Sequence, residues 1–242
     1  MNAQTATPTA LITGASAGLG RALATALAGH GWQLVLTART ADELALVASE
    51  LSHSAQVVVR AGDVADSAHR DDLARLVREW AGSRLDLLVH NASTLGPTPL
   101  RPLRDLVTSD LERVLLTNAV APHALTRALL PMLEATGGIV ISISSDAAIE
   151  HYETWGAYGA SKATLDHLTL TLGAELGGIR AYAVDPGDMR TAMQQAAFPG
   201  EDIGDRPLPE AVAVPGLLAL LEARPASGRY RAADLVDAGV AS

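Results

Sequence analysis

Short apolar runs rich in β-branched residues alternate with helical patterns along the sequence, and this alternation constrains the fold more than any other feature. Ala10–Thr13, Leu34–Leu36, Val57–Val59, Leu85–Val89, Gly138–Ile143 and Ile179–Val184 read as strands. Between them lie helical stretches from Arg21 to about Gly29, after a capping box at Thr40-Ala41-Asp42-Glu43, and over Asp66–Trp80, Ser109–Glu134 and Tyr158–Leu176. Pro122 is expected to bend the longest of these or divide it in two. The strands do not alternate strictly between apolar and polar residues, so both faces of the sheet must be covered. The pattern predicts an α/β fold, a doubly wound parallel sheet in three α/β/α layers. No linker and no shift in composition interrupts it, so the 242 residues read as a single domain.

Apolar residues make up 48% of the chain and aromatics only 3%, so the core is expected to consist of Ala, Leu and Val. A net charge of −9 without any basic cluster argues against nucleic acid as a partner. The absence of cysteine excludes disulfides, thiolate catalysis and cysteine-based zinc sites. The seven histidines show no HExxH or similar ligand spacing, so no metal is expected. Met1–Ala10 is polar and lacks the order of a signal peptide, and no apolar run approaches the roughly 18 residues of a membrane helix. A cytoplasmic protein with no membrane partner is expected.

Lys162 is the only lysine, whereas the other basic residues are all arginine. Arginine covers surfaces equally well, but only lysine supplies a compact ammonium whose pKa can be moved. Tyr158 lies four residues earlier, on the same face of a helix. An adjacent ammonium favours phenolate, making Tyr158 a candidate acid/base group. An ordinary surface Tyr and Lys would give the same YxxxK spacing, so the rest of the chain has to decide.

The turn Gly14-Ala15-Ser16-Ala17-Gly18-Leu19-Gly20 joins the first strand to the first helix. Such a turn can serve geometry alone. Its place between strand and helix favours nucleotide phosphates, because small residues allow close approach and free N–H groups attract anions. The second strand ends Thr37-Ala38-Arg39, with no acid before Asp42. A basic residue there accommodates a 2′-phosphate, whereas an acid would accept from a ribose hydroxyl, so NADPH is expected in preference to NADH.

Together these residues resemble the short-chain dehydrogenase/reductase family, of the NADP-preferring carbonyl reductase type, over nearly the whole chain. The glycine motif matches Thr13 through Gly20, with Thr13, Gly14, Ser16, Gly18, Leu19 and Gly20 as implied cofactor contacts. The family's acidic adenine contact matches Asp63, with Val64 beside it, and its NNAG segment appears as His90-Asn91-Ala92-Ser93, departing at the first and last positions. Its helix asparagine matches Asn118, and its serine matches Ser145, thirteen residues before Tyr158; Ser144 is the adjacent competitor that the spacing disfavours. The PGxxxT segment is Pro186-Gly187-Asp188-Met189-Arg190-Thr191, whose Pro186, Gly187, Met189 and Thr191 would lie against the nicotinamide.

The resemblance implies a Rossmann-like fold with a cofactor half at about 8–135 and a catalytic and substrate half at about 136–242. It also implies a carbonyl reductase working reversibly on a small molecule. Tyr158 would exchange a proton with the substrate oxygen and Ser145 would hold that oxygen. Lys162 would lower the tyrosine pKa and hold ribose hydroxyls, and Asn118 would hold a water linking Lys162 to solvent. Asn91 and Ala92 would contact the cofactor. The reading from another class is a non-catalytic NAD(P)-binding regulator of the same fold.

His151, Tyr152 and Trp155 either line the substrate pocket or pack their loop, and Met193–Pro209 is expected to form a lid over the site. Ser227–Arg231 can form a last strand, but Asp234–Ser242 lacks the family's VDGG ending. A homodimer through the helices carrying Asn118 and Tyr158 is therefore expected, with a tetramer as the alternative.

Overall fold

A computed structural model describes residues 7–240. The first six residues of the polar Met1–Ala10 stretch, and the last two of the Asp234–Ser242 ending, lie outside the described residues. Seven parallel strands form one sheet in the order β3-β2-β1-β4-β5-β6-β7: β1 (Thr9–Thr13), β2 (Gln33–Ala38), β3 (Val57–Ala61), β4 (Leu87–His90), β5 (Ile139–Ile143), β6 (Arg180–Asp185) and β7 (Gly228–Arg231). The helices are α1 (Gly18–Gly29), α2 (Ala41–Leu51), α3 (Ser67–Trp80), α4 (Thr108–Leu115), α5 (Ala121–Thr136), α6 (Gly156–Glu175), α7 (Ala192–Ala197), α8 (Ala213–Ala223) and α9 (Ala232–Val240). The expected doubly wound α/β sheet is the architecture observed.

Alternate strand residues feed two cores. Ile12, Leu34, Leu36, Val89, Ile141 and Val184 pack with α1, α2 and α8 on one face. Leu11, Val35, Leu88 and Val140 pack with α3 and α5 on the other. Each fully buried Leu or Val contributes about 1.5–3 kcal/mol relative to exposure. The chain runs outward from β1 in both directions, to β2 and to β4, so the topological switch lies between β1 and β4. A ligand crevice is expected beyond the carboxyl ends of those two strands. Among the described residues, no helix is long and apolar enough to cross a membrane.

Several local expectations need correction. The helix after Thr40 starts where expected, but the Thr40 hydroxyl makes no cap hydrogen bond, leaving Asp42 and Glu43 to complement the helix dipole. α1 begins at Gly18, three residues before Arg21, so the glycine turn supplies the helix's own first turn. β4 begins two residues after Leu85, although the Asp86 main chain already pairs with Thr9 and Ile139, and the Asp86 carboxylate accepts from the Thr9 N–H (2.9 Å) and is bridged by Arg84. The long helix is divided, as Pro122 suggested, but the break precedes the proline. Leu116–Val120 form a π turn before α5, and Pro122 sits in the first turn of α5. Proline has no N–H to give the carbonyl four residues back, which is that of Asn118. The sequence reading did not anticipate α8, and it left α7 within the expected lid.

The switch point is packed tightly enough to specify glycine. A Cβ on Gly20 would lie 2.3 Å from the Gly14 carbonyl oxygen and 2.5 Å from Asn91 Nδ2. Gly14 has a φ of +66° as well as Ala92 Cα only 2.9 Å from where its Cβ would be. Gly20→Ala should therefore cost about 1–3 kcal/mol by overpacking, read as a lowered midpoint in thermal unfolding. Gly29→Ala, at the open end of the same helix with nothing within 4 Å, should leave the midpoint unchanged or slightly raised.

Candidate active site

At the carboxyl edge of the sheet, Thr13 at the end of β1 is the first fixed point. Its hydroxyl donates to the Val89 carbonyl (3.1 Å) and accepts from the N–H groups of Asn91 and Ala92 (both 3.0 Å). Asn91 Nδ2 donates in return to the carbonyls of Thr13 (2.9 Å) and Gly14 (3.0 Å). The glycine turn is thereby locked to the segment after β4. No side chain caps the start of α1 and no acid sits in its first turn, so its first N–H groups are left for an anion. Thr191 faces the turn, 3.4 Å from where a Gly18 Cβ would stand. These features fit a dinucleotide pyrophosphate between Gly14–Gly20 and Thr191. Arg39 is exposed just beyond β2, Asp63 is exposed beyond β3, and Val64 is buried beside it. Ser16 and Leu19 lie in the turn, Leu19 buried.

Asn118, in the π turn, ties this half to α6. Its Oδ1 accepts from the Thr94 N–H (2.9 Å), and its Nδ2 donates to the Thr94 carbonyl (2.8 Å) and to Ser161 Oγ (2.9 Å). Ser161 in turn donates to the Tyr158 carbonyl (2.7 Å). Both N–H groups of the Asn118 amide are thus taken by protein partners, and Pro122 cannot supply an N–H to its main-chain carbonyl.

Tyr158 and Lys162 are both buried on α6. Lys162 Nζ donates to the Ile143 carbonyl (2.6 Å) and stands 5.5 Å from the Tyr158 ring centroid. Burial lowers its pKa to about 8, against the upward pull of Asp166. The phenol departs from expectation: its pKa is raised, chiefly by burial and further by the charges of Asp146 and Asp185. The Lys162 ammonium is turned to the Ile143 carbonyl and is not among the charges that move the phenol. The hydroxyls of Ser145 and Ser93 pull the phenol's pKa back down. Neither makes a close hydrogen bond to it: Ser93 Oγ is buried without a partner, and Ser145 Oγ donates to Asp146 Oδ1 (2.9 Å) and accepts from the Ala147 N–H (3.2 Å).

Ser144, the competitor, is turned away; it is buried and donates to Asp166 Oδ2 (2.7 Å). A small apolar pocket opens against Tyr158 between Leu95, Leu100, Leu106, Val114 and Ala157, with Arg101 at its edge. Trp155 packs edge-on to Tyr158 at 5.6 Å and against Phe198 at 5.8 Å. Met193 and Ala197 of α7, at the start of the expected lid segment, pack on the same cluster. Tyr152 instead bonds Asp146 Oδ2 (2.9 Å) at the surface, and His151 is exposed. Pro186, Gly187 and Met189 follow β6 on the same edge as Thr191, with the Gly187 N–H held by Asp185 Oδ1 (3.0 Å).

Three features escaped the sequence reading. The departure at His90 faces α5, where its Nε2 and Thr126 Oγ1 share a hydrogen bond (2.7 Å), and burial lowers its pKa to about 3. The departure at Ser93 puts an unpartnered hydroxyl beside the phenol. Asp166, Asp185 and Arg229 form a buried ionic cluster under the site. Only the NNAG departures carried a signal that could have found the first two.

The profile of the short chain dehydrogenase family matches residues 8–202. The serine 3-dehydrogenase of Rhizobium radiobacter is 36% identical over 189 residues, 76% of this chain and 72% of that protein. A Pseudomonas syringae structure of the short-chain dehydrogenase type is 34% identical with a TM-score of 0.86, covering 93% of each chain. An alcohol dehydrogenase from the archaeon Thermococcus sibiricus, complexed with 5-hydroxy-NADP, is 27% identical with a TM-score of 0.84, covering 93% of this chain and 95% of that one. The chain belongs to the short-chain dehydrogenase family and is an NAD(P)-dependent dehydrogenase/reductase.

The buried ammonium makes a pH-dependent prediction. Between about 8 and 10.5 the unfolded chain keeps a proton on Lys162 that the folded chain has lost, so this group's contribution to stability rises with pH across that window. Lys162→Met removes that slope. In urea unfolding, wild type should gain stability relative to Lys162→Met from pH 8 to 10.5, and a constant difference would refute the buried, shifted ammonium.

Proposed function

We propose that the chain is an NADPH-dependent carbonyl reductase, reversible as an alcohol dehydrogenase, acting on a small ketone or aldehyde. The observation that carries this reading is the convergence of Tyr158, Ser145 and Lys162 beside an apolar pocket, on the same sheet edge as the uncapped glycine turn. The Thermococcus sibiricus relative supports it, being an alcohol dehydrogenase crystallised with an NADP derivative.

When bound, the nicotinamide would supply or accept the hydride. The turn Gly14–Gly20 and Thr191 would hold its pyrophosphate, Asp63 and Val64 its adenine, and Arg39 a 2′-phosphate. Asn91, Ala92, Pro186, Gly187 and Met189 would line its remaining length. Tyr158 Oη gives a proton to the substrate oxygen, or takes it back in oxidation. Ser145 Oγ holds that oxygen against the phenol by turning from Asp146. A phenol raised by burial is protonated at neutral pH, which suits it as the acid in reduction. Lys162 Nζ would hold ribose hydroxyls and, turned from Ile143, would stabilise the phenolate that remains. Asn118 would hold a water linking Lys162 to solvent, through which the proton is replaced.

We also propose that the chain acts as one catalytic unit, its cofactor half at about 8–135 and its catalytic half at about 136–242. The enzyme is proposed to work as a homodimer through the outer faces of α5 and α6. The apolar groove there, lined by Pro122, Leu165, Leu168 and Leu172, and the exposed Val120 support that assembly.

Following NADPH oxidation at 340 nm against aldehydes, ketones, diketones and acyl-thioesters tests the reaction. Tyr158→Phe should lower kcat by about a thousandfold with NADPH affinity nearly unchanged, since general acid/base catalysis contributes about 10²–10⁴. Retained turnover would sink the mechanism. Tight NADPH binding without reduction of any carbonyl would turn the reading towards a regulator. Arg39→Asp should cut the NADPH-over-NADH ratio of kcat/KM by about 10–100-fold, the worth of a lost charge-assisted contact. An unchanged ratio removes Arg39 from the 2′-phosphate site.

A further inference from the structure

β7 contributes one side chain that the proposed chemistry does not use. Arg229 Nε donates to Asp166 Oδ2 (3.0 Å), its Nη2 donates to the main-chain carbonyl of Ser145 (2.9 Å), and Nη2 lies 3.7 Å from Asp185 Oδ2. The three acceptors belong to three segments of the candidate site. Ser145 opens the loop after β5. Asp166 lies one helical turn past Lys162 on α6 and also accepts from Ser144 Oγ. Asp185 ends β6, and its other oxygen fixes the Gly187 N–H at the start of the Pro186–Thr191 segment. The Asp166 and Asp185 side chains are 9% and 5% exposed, so the two carboxylates need a cation between them. A guanidinium can meet three acceptors in a plane, which an ammonium cannot.

We infer that Arg229 is a positioning residue: it holds the Ser145 loop, the Lys162 helix and the Gly187 loop in one register, so the last strand sets the geometry of the reacting centre. The kinetic consequences rest on the reductase reading; the structural ones do not. The charged and polar groups facing the cluster are Ser144 and Ser145 from the loop after β5, Lys162 from α6, Asp185 from β6, and Arg231 from β7, whose Nε is 3.9 Å from Asp185. Asp166 Oδ1 is buried without a hydrogen-bond partner. Burial raises the Asp166 pKa, opposed by Ser144, Arg229 and Lys162. Asp166 is in turn the charge that acts upward on Lys162.

The test compares wild type with Arg229→Gln, Arg229→Lys and Asp166→Asn. Amide hydrogen exchange needs no substrate. In Arg229→Gln, exchange at residues 144–147 and 187–188 should rise together by about tenfold or more, with 14–20 unchanged. Given a reducible carbonyl, kcat should fall by about thirtyfold or more while the NADPH Kd, from fluorescence titration, stays within about fivefold, since misplacement costs rate more than binding. Arg229→Lys keeps the charge but not the fork and should recover only part of both. It decides the matter by the same readings if Arg229→Gln does not fold. In Asp166→Asn, the limb of kcat/KM that follows Lys162 should move to lower pH. Unchanged exchange in both segments, a kcat within about twofold of wild type, or an unmoved limb would overturn the inference. If wild type reduces no carbonyl, the reductase reading fails, and the exchange measurement alone decides the role of Arg229.

Discussion

The hydroxyl of Thr13 closes the switch point of the sheet, and the rest of the candidate site hangs from it. The chain leaves β1 and β4 in opposite directions, so the main-chain groups just beyond these two strands have no ladder partner where a ligand crevice is expected. Thr13 satisfies three of these groups at once, and Asn91 returns two bonds to the turn. From there an almost unbroken line of hydrogen bonds crosses the sheet edge. Thr94 meets Asn118, Asn118 meets Ser161, and Ser161 meets the Tyr158 carbonyl. The glycines belong to the same constraint: Gly14 and Gly20 are small because Asn91 stands where their Cβ atoms would be. The turn is therefore both a packing solution and a cradle, and the two readings of its glycines do not compete.

Burial sets the charge states in this edge more than pairing does. Lys162, Tyr158, His90 and Asp166 are each displaced towards their neutral form, with burial the largest cause in every case. For His90 this is structural; a neutral imidazole shares one hydrogen bond with Thr126. For Lys162 and Tyr158 it gives an ammonium whose pKa is about 8 and a phenol that holds its proton firmly. Pairing acts as a correction: Asp166 on Lys162, Ser145 and Ser93 on Tyr158. An arginine at position 162 could not be moved in this way, which gives the single lysine of an arginine-rich chain a physical reason.

What could be read from the sequence was local. The strands were legible because β-branched runs recur at βα spacing, and the pairing of Tyr158 with Lys162 because four residues make one helical turn. The division at Pro122 was legible, but its form was not: a π turn at Leu116–Val120 depends on what Asn118 bonds across the fold. The phenol was misjudged because its nearest charge along the helix is a cation, whereas its burial comes from residues as distant as Leu95 and Met193. The Thr40 capping box failed for a similar reason, since a motif states which bond can form and the tertiary setting decides whether it does.

Arg229 marks the limit of such reading. Its contacts reach back to Asp166 and Ser145, separated by 63 and 84 residues, and no spacing rule links a late strand to the loop after β5. Physics nonetheless requires something there. Asp185 is drawn into the edge because its oxygen fixes the turn at Gly187, and Asp166 because its oxygen fixes Ser144. Each bond orders a segment beside the candidate site, and together they bring two carboxylates into a poorly solvated space. A cation between them turns a repulsion into a joint. β7 is the strand that borders β6 at this edge, so its side chain is the one able to supply that cation. With Arg229 between those acids, the last strand is joined to the loop after β5, to α6 and to the turn at Gly187.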